Sequence, residues 1–489
     1  MDRATLRERL EAVVGAGGVV ADPSELVVYE YDASDEAIAG RHRPDFVVLP
    51  ETTEQVAAVV RLAREYGLPV TPRGAGTGLA GGAIAARGGI MVVLTRMNRI
   101  LEINERDRYA IVEPGVINLE LSTATLPRGY FFAPDPSSQR ACTIGGNVAN
   151  NSGGPHCLKY GVTSNHIMGL EVVLPSGEVV WTGGPVPESP GVDLTGVLVG
   201  SEGTLGIVTK VMVRLTRNPE AVSVLLAPFP TIETASNAVS AIVAAGVLPA
   251  ALEMMDRLSI QAVEAAFHAG YPTDAGAVLL VEIDGLAEAV AESADAITDI
   301  CRQHDATEVR VAASAEEREA LWFARKAAFG AMGRLTPNYY LQDATVPRTQ
   351  LPPTLQFVEE LSREYRLRIA NVFHAGDGNL HPLILFDRYE KGAIERVLRA
   401  GTDLLTYCVE RGGTVSGEHG IGLEKKDYLT LIFTPDDLAA MAGLKRSFDP
   451  LAYFNPDKVF PTSFSCGELA AVKAAGVPVS GGLGLEDVI

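Results

Sequence analysis

RGAGTGLAGG (73–82) decides how the rest of the chain is read, because it places five glycines in ten residues directly after a strand-like run. Gly76-x-Gly78-x-x-Gly81 satisfies the spacing of a dinucleotide fingerprint, and Glu102 stands near the acidic position that should follow it. That fingerprint needs a helix after the glycines. Only AIAARGG (83–89) precedes the next apolar run, IMVVL (90–94), which leaves no room for one. Alone, the loop reads as a set of tight turns. Three further glycine-dense segments alter that reading: GGNVANNSGG (145–154), GGP (183–185) and GSEGTLG (200–206). Together the four offer many backbone N–H groups free of Cβ obstruction, as a cofactor with two phosphates and a flat ring requires. Asn150, Asn151, Ser152, Ser201 and Thr204 add amides and hydroxyls alongside.

Outward from these loops, apolar spacing alternates between helical and strand-like, the pattern of an α/β or α+β architecture. Thr52-x-x-Gln55 opens a helix as a capping box, Val56, Val59, Val60 and Ala63 stripe one face, Gly67 closes it, and a strand is expected at 68–72. After Asn218-Pro219 the texture changes to longer helices (about 231–245, 256–268, 287–303) alternating with strands such as AVLLVEI (277–283). A glycine-rich loop returns at Gly412-Gly413 before a short helical tail. The expected units are 1–217, 218–411 and 412–489.

Composition narrows the classes. The chain has 489 residues, 47% of them hydrophobic, enough for two or three domains. With 41 basic against 61 acidic side chains the net charge is −20, which opposes phosphate backbones and anionic lipid and excludes nucleic acid as a partner. Cys142, Cys157, Cys301, Cys408 and Cys466 lie far apart without any C-x-x-C, which fits a reducing compartment and leaves no four-thiolate iron–sulfur site. Neither a signal peptide nor a membrane span is read, so a cytoplasmic location is expected.

PRGAGTGLAGG, PDPSSQRACTIGGNVANNSGG and GSEGTLGIVT resemble, in order and spacing over roughly 41–217, the loops of the vanillyl-alcohol-oxidase-type (PCMH-type) FAD-binding domain. The resemblance implies two α/β subdomains. It also implies a pyrophosphate wrapped by Arg73, Gly74, Gly76, Thr77, Gly78 and Gly81, with further FAD contacts from Pro134, Asp135, Ser137, Ser138, Gly145, Asn147, Asn150, Ser152, Gly153, Glu202 and Ile207. Relatives that tether flavin covalently carry a histidine in the first glycine loop. Here Thr77 stands near that place and the loop has no histidine, so FAD is expected to be non-covalent.

Two C-terminal motifs hold three of the eight histidines: VFHAGDGNLHPL (372–383) and SGEHGIG (416–422). The first reads as two strands turning at Asp377-Gly378, which pairs Gly376 with Asn379, Ala375 with Leu380 and His374 with His381. Directly opposed residues share a face with Cβ atoms roughly 4.5–5.5 Å apart, so two imidazoles could meet one ion, with Glu418 as third ligand and an open coordination position. A pair of stacked histidines stabilising a hairpin is the alternative.

HAGDGNLH followed by GEHGIG resembles the C-terminal motifs of FAD-linked D-2-hydroxyacid dehydrogenases, and RKAAFGAMGRLTPNYYLQDATVPR (325–348) is most similar to the FAD-binding subunit of glycolate oxidase; FNPDKVFP (454–461) resembles the closing segment. The implied fold is α+β: the flavin domain, a ferredoxin-like α+β cap and a C-terminal segment returning to the flavin. The implied ligands of a divalent metal, zinc with manganese or iron as alternatives, are His374, His381 and Glu418; the implied base is His419. Arg325 matches the carboxylate-binding arginine, against the alternative of a solvated helix face beside Lys326; Arg348 is a weaker candidate.

A 2-hydroxy acid would chelate the metal, lose its hydroxyl proton to His419 and pass hydride to flavin N5. The hydroxyglutarate branch uses a lysine shortly after the arginine, whereas no Lys occurs here between Lys326 and Lys391. Glycolate or D-lactate is therefore expected, with a dicarboxylate such as D-2-hydroxyglutarate left open through Arg334. The resemblance also implies a second flavin subunit and an iron–sulfur subunit as electron acceptors, through which the protein would sit peripherally at the membrane. Rival readings are a flavin-free metal-dependent hydrolase and a non-catalytic subunit that retains the flavin fold.

Overall fold

The computed structural model describes residues 3–35, 40–186 and 191–461. Cys466 and the last part of the expected helical tail lie outside them. The helix read from the capping box spans Thr53–Glu65; Thr52 Oγ1 accepts from Gln55 N, while Gln55 Oε1 turns to Glu51 N instead of closing the box on Thr52. Its buried stripe of Val56, Val59, Val60 and Ala63 packs with helix Arg3–Val14 over a four-stranded sheet ordered 19–20, 46–48, 90–93, 70–73. The strands at 46–48, 90–93 and 70–73 are parallel, and the segment 83–89 between two of them holds no helix, as its length required. A second, antiparallel sheet runs in the order 100–104, 109–112, 207–214, 167–173, 179–183 around its own core of Val112, Leu170, Val172, Val211 and Val213. Two sheets, each with its own core, match the two subdomains that the resemblance implies for residues 41–217.

The chain leaves these sheets at Thr216–Arg217 and enters the cap at Ala221–Phe229. There the order 310–311, 221–229, 277–285, 251–256, all antiparallel, is that of a ferredoxin-like β-α-β-β-α-β unit. A second split unit extends it: strand 368–374 pairs with 251–256 and continues through 382–386 to 338–341. Both faces of this long sheet are covered. Leu225, Ala227, Leu279, Val281 and Phe373 face the helices 232–244, 287–303, 351–365 and 393–410, whereas Val224, Leu226, Leu280, Val372 and Leu383 face the helices 257–267 and 315–326. Double burial is why AVLLVEI reads as an unbroken apolar run rather than an alternating one. By strand parity Glu253, His374 and His381 project to the second face, toward helix 315–326.

The C-terminal segment returns to the flavin side. After helix Pro435–Phe448, Phe454 bridges Val70, with Val70 N donating to Tyr453 O and Asn455 N to Val70 O. No described helix is long and apolar enough to cross a membrane.

Candidate active site

The glycine loops converge on a cavity of about 460 Å³ between the two flavin-side sheets and the cap. Arg73, Gly74, Gly76, Thr77, Gly78, Ser137, Ser138, Gly145, Asn147, Asn150, Ser152, Gly153, Glu202 and Ile207 line it, together with Lys326, Phe329, Glu418 and His419. Glycine is needed where the walls meet: a Cβ on Gly74 would stand 2.5 Å from Thr143 Oγ1, and one on Gly153 would stand 2.6 Å from Glu418 Oε2.

Three expected contacts lie elsewhere. Gly81 turns the first loop at φ +76° without lining the cavity, the Pro134 carbonyl accepts from Asn118 Nδ2, and Asp135 is buried under His156 Nδ1 (2.9 Å) and Lys326 Nζ (2.7 Å). Two lining residues are structural fasteners. Glu202, at φ +52°, accepts from the N–H groups of Ile421 (2.6 Å) and Gly422 (2.8 Å), and Asn150 Nδ2 donates to the His419 carbonyl. Both fix the second histidine loop onto the flavin side.

At the cap end of the cavity, His374 Nε2 and His381 Nε2 lie 3.2 and 3.1 Å from Glu418 Oε1. The hairpin that carries them differs from the expected one. A four-residue turn, Ala375–Gly378, makes His374 pair with Asn379 and puts Pro382 opposite Asn371, so the two histidines are diagonal rather than opposed. The register error amounts to two residues, and a two-residue slip preserves the face. The rings still meet edge to face with centroids 5.0 Å apart, and His419 stacks on His381 at 4.9 Å.

Two buried carboxylates stand behind the imidazoles, Glu253 hydrogen-bonded to His374 and Asp343 3.8 Å from His381 Nδ1 and 4.0 Å from His419 Nδ1. Glu253, directly across from His374 on the neighbouring strand, takes its Nδ1 at 2.8 Å and is ion-paired on its far side to Arg325. Asp343 receives Ser416 Oγ (2.7 Å), the N–H groups of Gly417 (3.0 Å) and His419 (2.9 Å), and Lys425 Nζ (3.3 Å). It therefore folds the SGEHG loop around one anion. Burial opposes an imidazolium at His374, but Glu253 and Glu418 outweigh it and hold its pKa well above the usual value. Burial likewise opposes the charge on Glu418, and His374 reverses it, leaving the carboxyl well below its usual range. For His419 burial wins over the attraction of Asp343, lowering the pKa to about 4, so the ring is neutral and able to accept a proton.

Arg325 is neither solvated nor in the cavity: it is 1% exposed beside Glu253, and Lys326 is the member of the pair that reaches the chamber. Arg348 donates to the Gly376 carbonyl and Arg334 to that of Ala265. Glu253, Asp343, Lys326 and Lys425 were absent from the expected set. For the two acids a signal existed: AALEMMD (250–256) holds Glu253 between apolar residues of one strand, and YYLQDATV (339–346) holds Asp343 between two short strands, both places where an unpaired buried charge is not tolerated.

Two family patterns cover this architecture: the FAD binding domain matches residues 44–183, and the C-terminal domain of FAD linked oxidases matches residues 218–459. The glycolate oxidase subunit GlcD of Escherichia coli K12 is 46% identical over 472 residues, 96% of this chain and 94% of the relative. GlcD of Bacillus subtilis is 41% identical, covering 93% and 96%, and a D-lactate dehydrogenase of Anaerostipes hadrus is 35% identical, covering 88% and 92%. Among solved structures, p-cresol methylhydroxylase with substrate bound superposes with a TM-score of 0.78 at 19% identity, covering 94% of this chain and 97% of the other, a likeness of fold alone. The flavin cradle and the covered cap sheet thus define an FAD-linked oxidoreductase. The chain belongs to the FAD-linked oxidase family.

Proposed function

We propose that this oxidoreductase oxidises a small D-2-hydroxy acid, glycolate or D-lactate, to the 2-oxo acid. The observation that carries the proposal is the convergence of His374, His381 and Glu418 on one point, with His419 beside them in the wall of the flavin cavity. The names of the relatives, glycolate oxidase subunit and D-lactate dehydrogenase, support the same substrate class.

The donor set fits a divalent cation: two Nε2 atoms and a carboxylate oxygen lie within 4.8 Å of one another, and Glu253 on His374 Nδ1 is the outer carboxylate that such imidazole ligands use. Zinc suits two histidines and a glutamate, and manganese or iron accept the same set. The cradle fits FAD through its Cβ-free walls at Gly74, Gly76 and Gly153. When bound, FAD supplies an acceptor for two electrons and the metal a Lewis acid that lowers the pKa of the substrate hydroxyl. His419 takes the hydroxyl proton on its neutral imidazole. Glu253 holds His374 in the orientation that keeps Nε2 inward, and Asp343 keeps Glu418 and His419 side by side on one loop. Phe329 on the chamber wall, and Arg334 turned away to a backbone carbonyl, favour a small monocarboxylate over a dicarboxylate.

FAD is held without a covalent bond, since Thr77 occupies the loop position discussed above; yellow colour remaining in an acid-precipitated pellet would refute this. The E. coli relative is named a subunit, and electron transfer to a second flavin subunit and an iron–sulfur subunit, with peripheral membrane attachment through them, fits that name. The deciding experiment is anaerobic addition of glycolate, D-lactate, L-lactate and D-2-hydroxyglutarate to the purified flavoprotein. Bleaching of the flavin by glycolate or D-lactate is expected; bleaching by none of the four overturns the reading.

A further inference from the structure

We infer that a second cavity, beside the flavin chamber, is the passage by which small carboxylic acids enter and leave the histidine cluster. The inference rests on the proposed oxidation of a 2-hydroxy acid there. FAD would fill the glycine cradle, so an acid bound for the histidines needs an approach from another side. A cavity of about 270 Å³ lies between segment 33–35 of the flavin side and strand 338–341 of the cap. Ala33 and Leu79 stand in the walls of both cavities. The cap wall also ends close to the histidines: Leu341 pairs with Leu383, and Gln342 N donates to the carbonyl of Pro382 (3.0 Å), the residue after His381. The second cavity therefore adjoins the flavin chamber on one side and, through a single strand, the histidine hairpin on another.

Its lining suits an anion in transit. The chain carries a net charge of −20, which opposes the approach of a carboxylate over an acidic surface. Among the described lining residues of this cavity, the formal charges belong to Arg388, Asp35 and Glu424. Burial, opposed by Lys425 and aided by Asp32 and Asp35, pushes the Glu424 carboxyl up to about 8, so that it stands mostly protonated at neutral pH. Arg388 then balances Asp35, and the passage is close to neutral on a chain that is acidic overall. Glu424 Oε1 is buried without a hydrogen-bond partner, and Asn338 and Tyr339 add polar groups to the same wall. Such a wall offers hydrogen bonds to a passing acid without a net charge that would trap it.

A passage and a binding wall differ in kinetics. Narrowing a passage slows entry and exit alike and leaves affinity unchanged, whereas altering a binding wall changes affinity mainly through dissociation. Ala33→Trp, at an exposed position, and Leu341→Trp, in the cap wall, are purified as flavoproteins and mixed anaerobically with oxalate, which can chelate a metal but yields no hydride, while the flavin spectrum is followed by stopped flow. Both variants should slow association and dissociation of oxalate by the same factor, about 10-fold or more, with Kd at the wild-type value. Ala33→Trp decides the matter should Leu341→Trp fail to hold flavin. Wild-type rates in the variants overturn the inference, as does a weaker affinity carried by dissociation alone, which would make these residues part of the binding site. A wild-type protein that exchanges oxalate, more slowly in the variants, but whose flavin no 2-hydroxy acid reduces keeps the passage and sinks the reaction. A wild-type flavin reduced by glycolate, with oxalate exchange unaltered in both variants, keeps the reaction and sinks the passage.

Discussion

The two halves of the cavity are built from different materials. The flavin cradle is mostly backbone: loops whose glycines let chain segments approach within distances that a Cβ would forbid, with side chains such as Glu202 and Asn150 acting as fasteners. The histidine cluster is almost wholly side chain, buried, and held by strands and by two carboxylates that none of its motifs contains. A backbone site tolerates change in side-chain chemistry but not in volume. A side-chain site tolerates the reverse.

That contrast is sharpest where each half is made to fail alone. His419→Ala should lower the rate of anaerobic flavin reduction by about 10²–10⁴-fold while flavin content stays at the wild-type level; a loss of flavin with it would erase the distinction. Glu253→Gln should weaken metal retention by about 10- to 100-fold, read by metal analysis after dialysis against chelator, with the flavin still bound. The mirror experiment is Gly74→Val, which should empty the cradle of flavin and leave metal content intact. Asp343→Asn leaves Lys425 buried without its anion and should cost about 3 kcal/mol in denaturant unfolding, an effect on the cap that the cradle does not share.

The smallest effect lies on the seam between the halves. His156 bridges Asp135 of the flavin side and Glu282 of the cap. Burial opposes its charge, but the two carboxylates prevail and raise its pKa from 6.5 to about 10. A raised pKa in the folded state means the stabilisation is complete below pH 6.5 and is lost as pH climbs toward 10. His156→Gln should cost about 2 kcal/mol at pH 6 and flatten the decline of stability between pH 6.5 and 10, measured by thermal or denaturant melts. A variant that keeps the wild-type slope would place the titrating group elsewhere.

Legibility in the sequence follows the same division. Glycine spacing displays a backbone site openly, and the absence of a helix after Gly81 could be deduced from the number of residues alone. The hairpin register was misplaced because Asp377-Gly378 advertises a two-residue turn, yet the site survived the error because parity, not register, decides which face a histidine takes. Arg325 and Lys326 could not be told apart from the sequence, since which of two adjacent cations faces the core depends on where helix 315–326 meets a strand about 70 residues earlier. Glu253 belongs to the same class, because sheet order sets its partner, and Asp343 takes its partners from a loop 73 to 82 residues further on; no local pattern encodes either. The second split unit that lengthens the cap sheet was likewise invisible, because a strand's neighbour is a matter of tertiary pairing.

The clasp between Glu202 and the amides of Ile421 and Gly422 spans 219 residues, and Asn455 reaches back to the carbonyls of Gly82 and Glu202. At about 5–20 residues per second of synthesis, some 10–40 seconds separate the emergence of the two ends of that clasp. During that interval the nascent flavin side already has its glycine loops but lacks the wall that brings His419 to them. Assembly of a working centre is therefore among the last events in the birth of the polypeptide, and a chain cut short before Asn455 would be made with its flavin cradle unlatched.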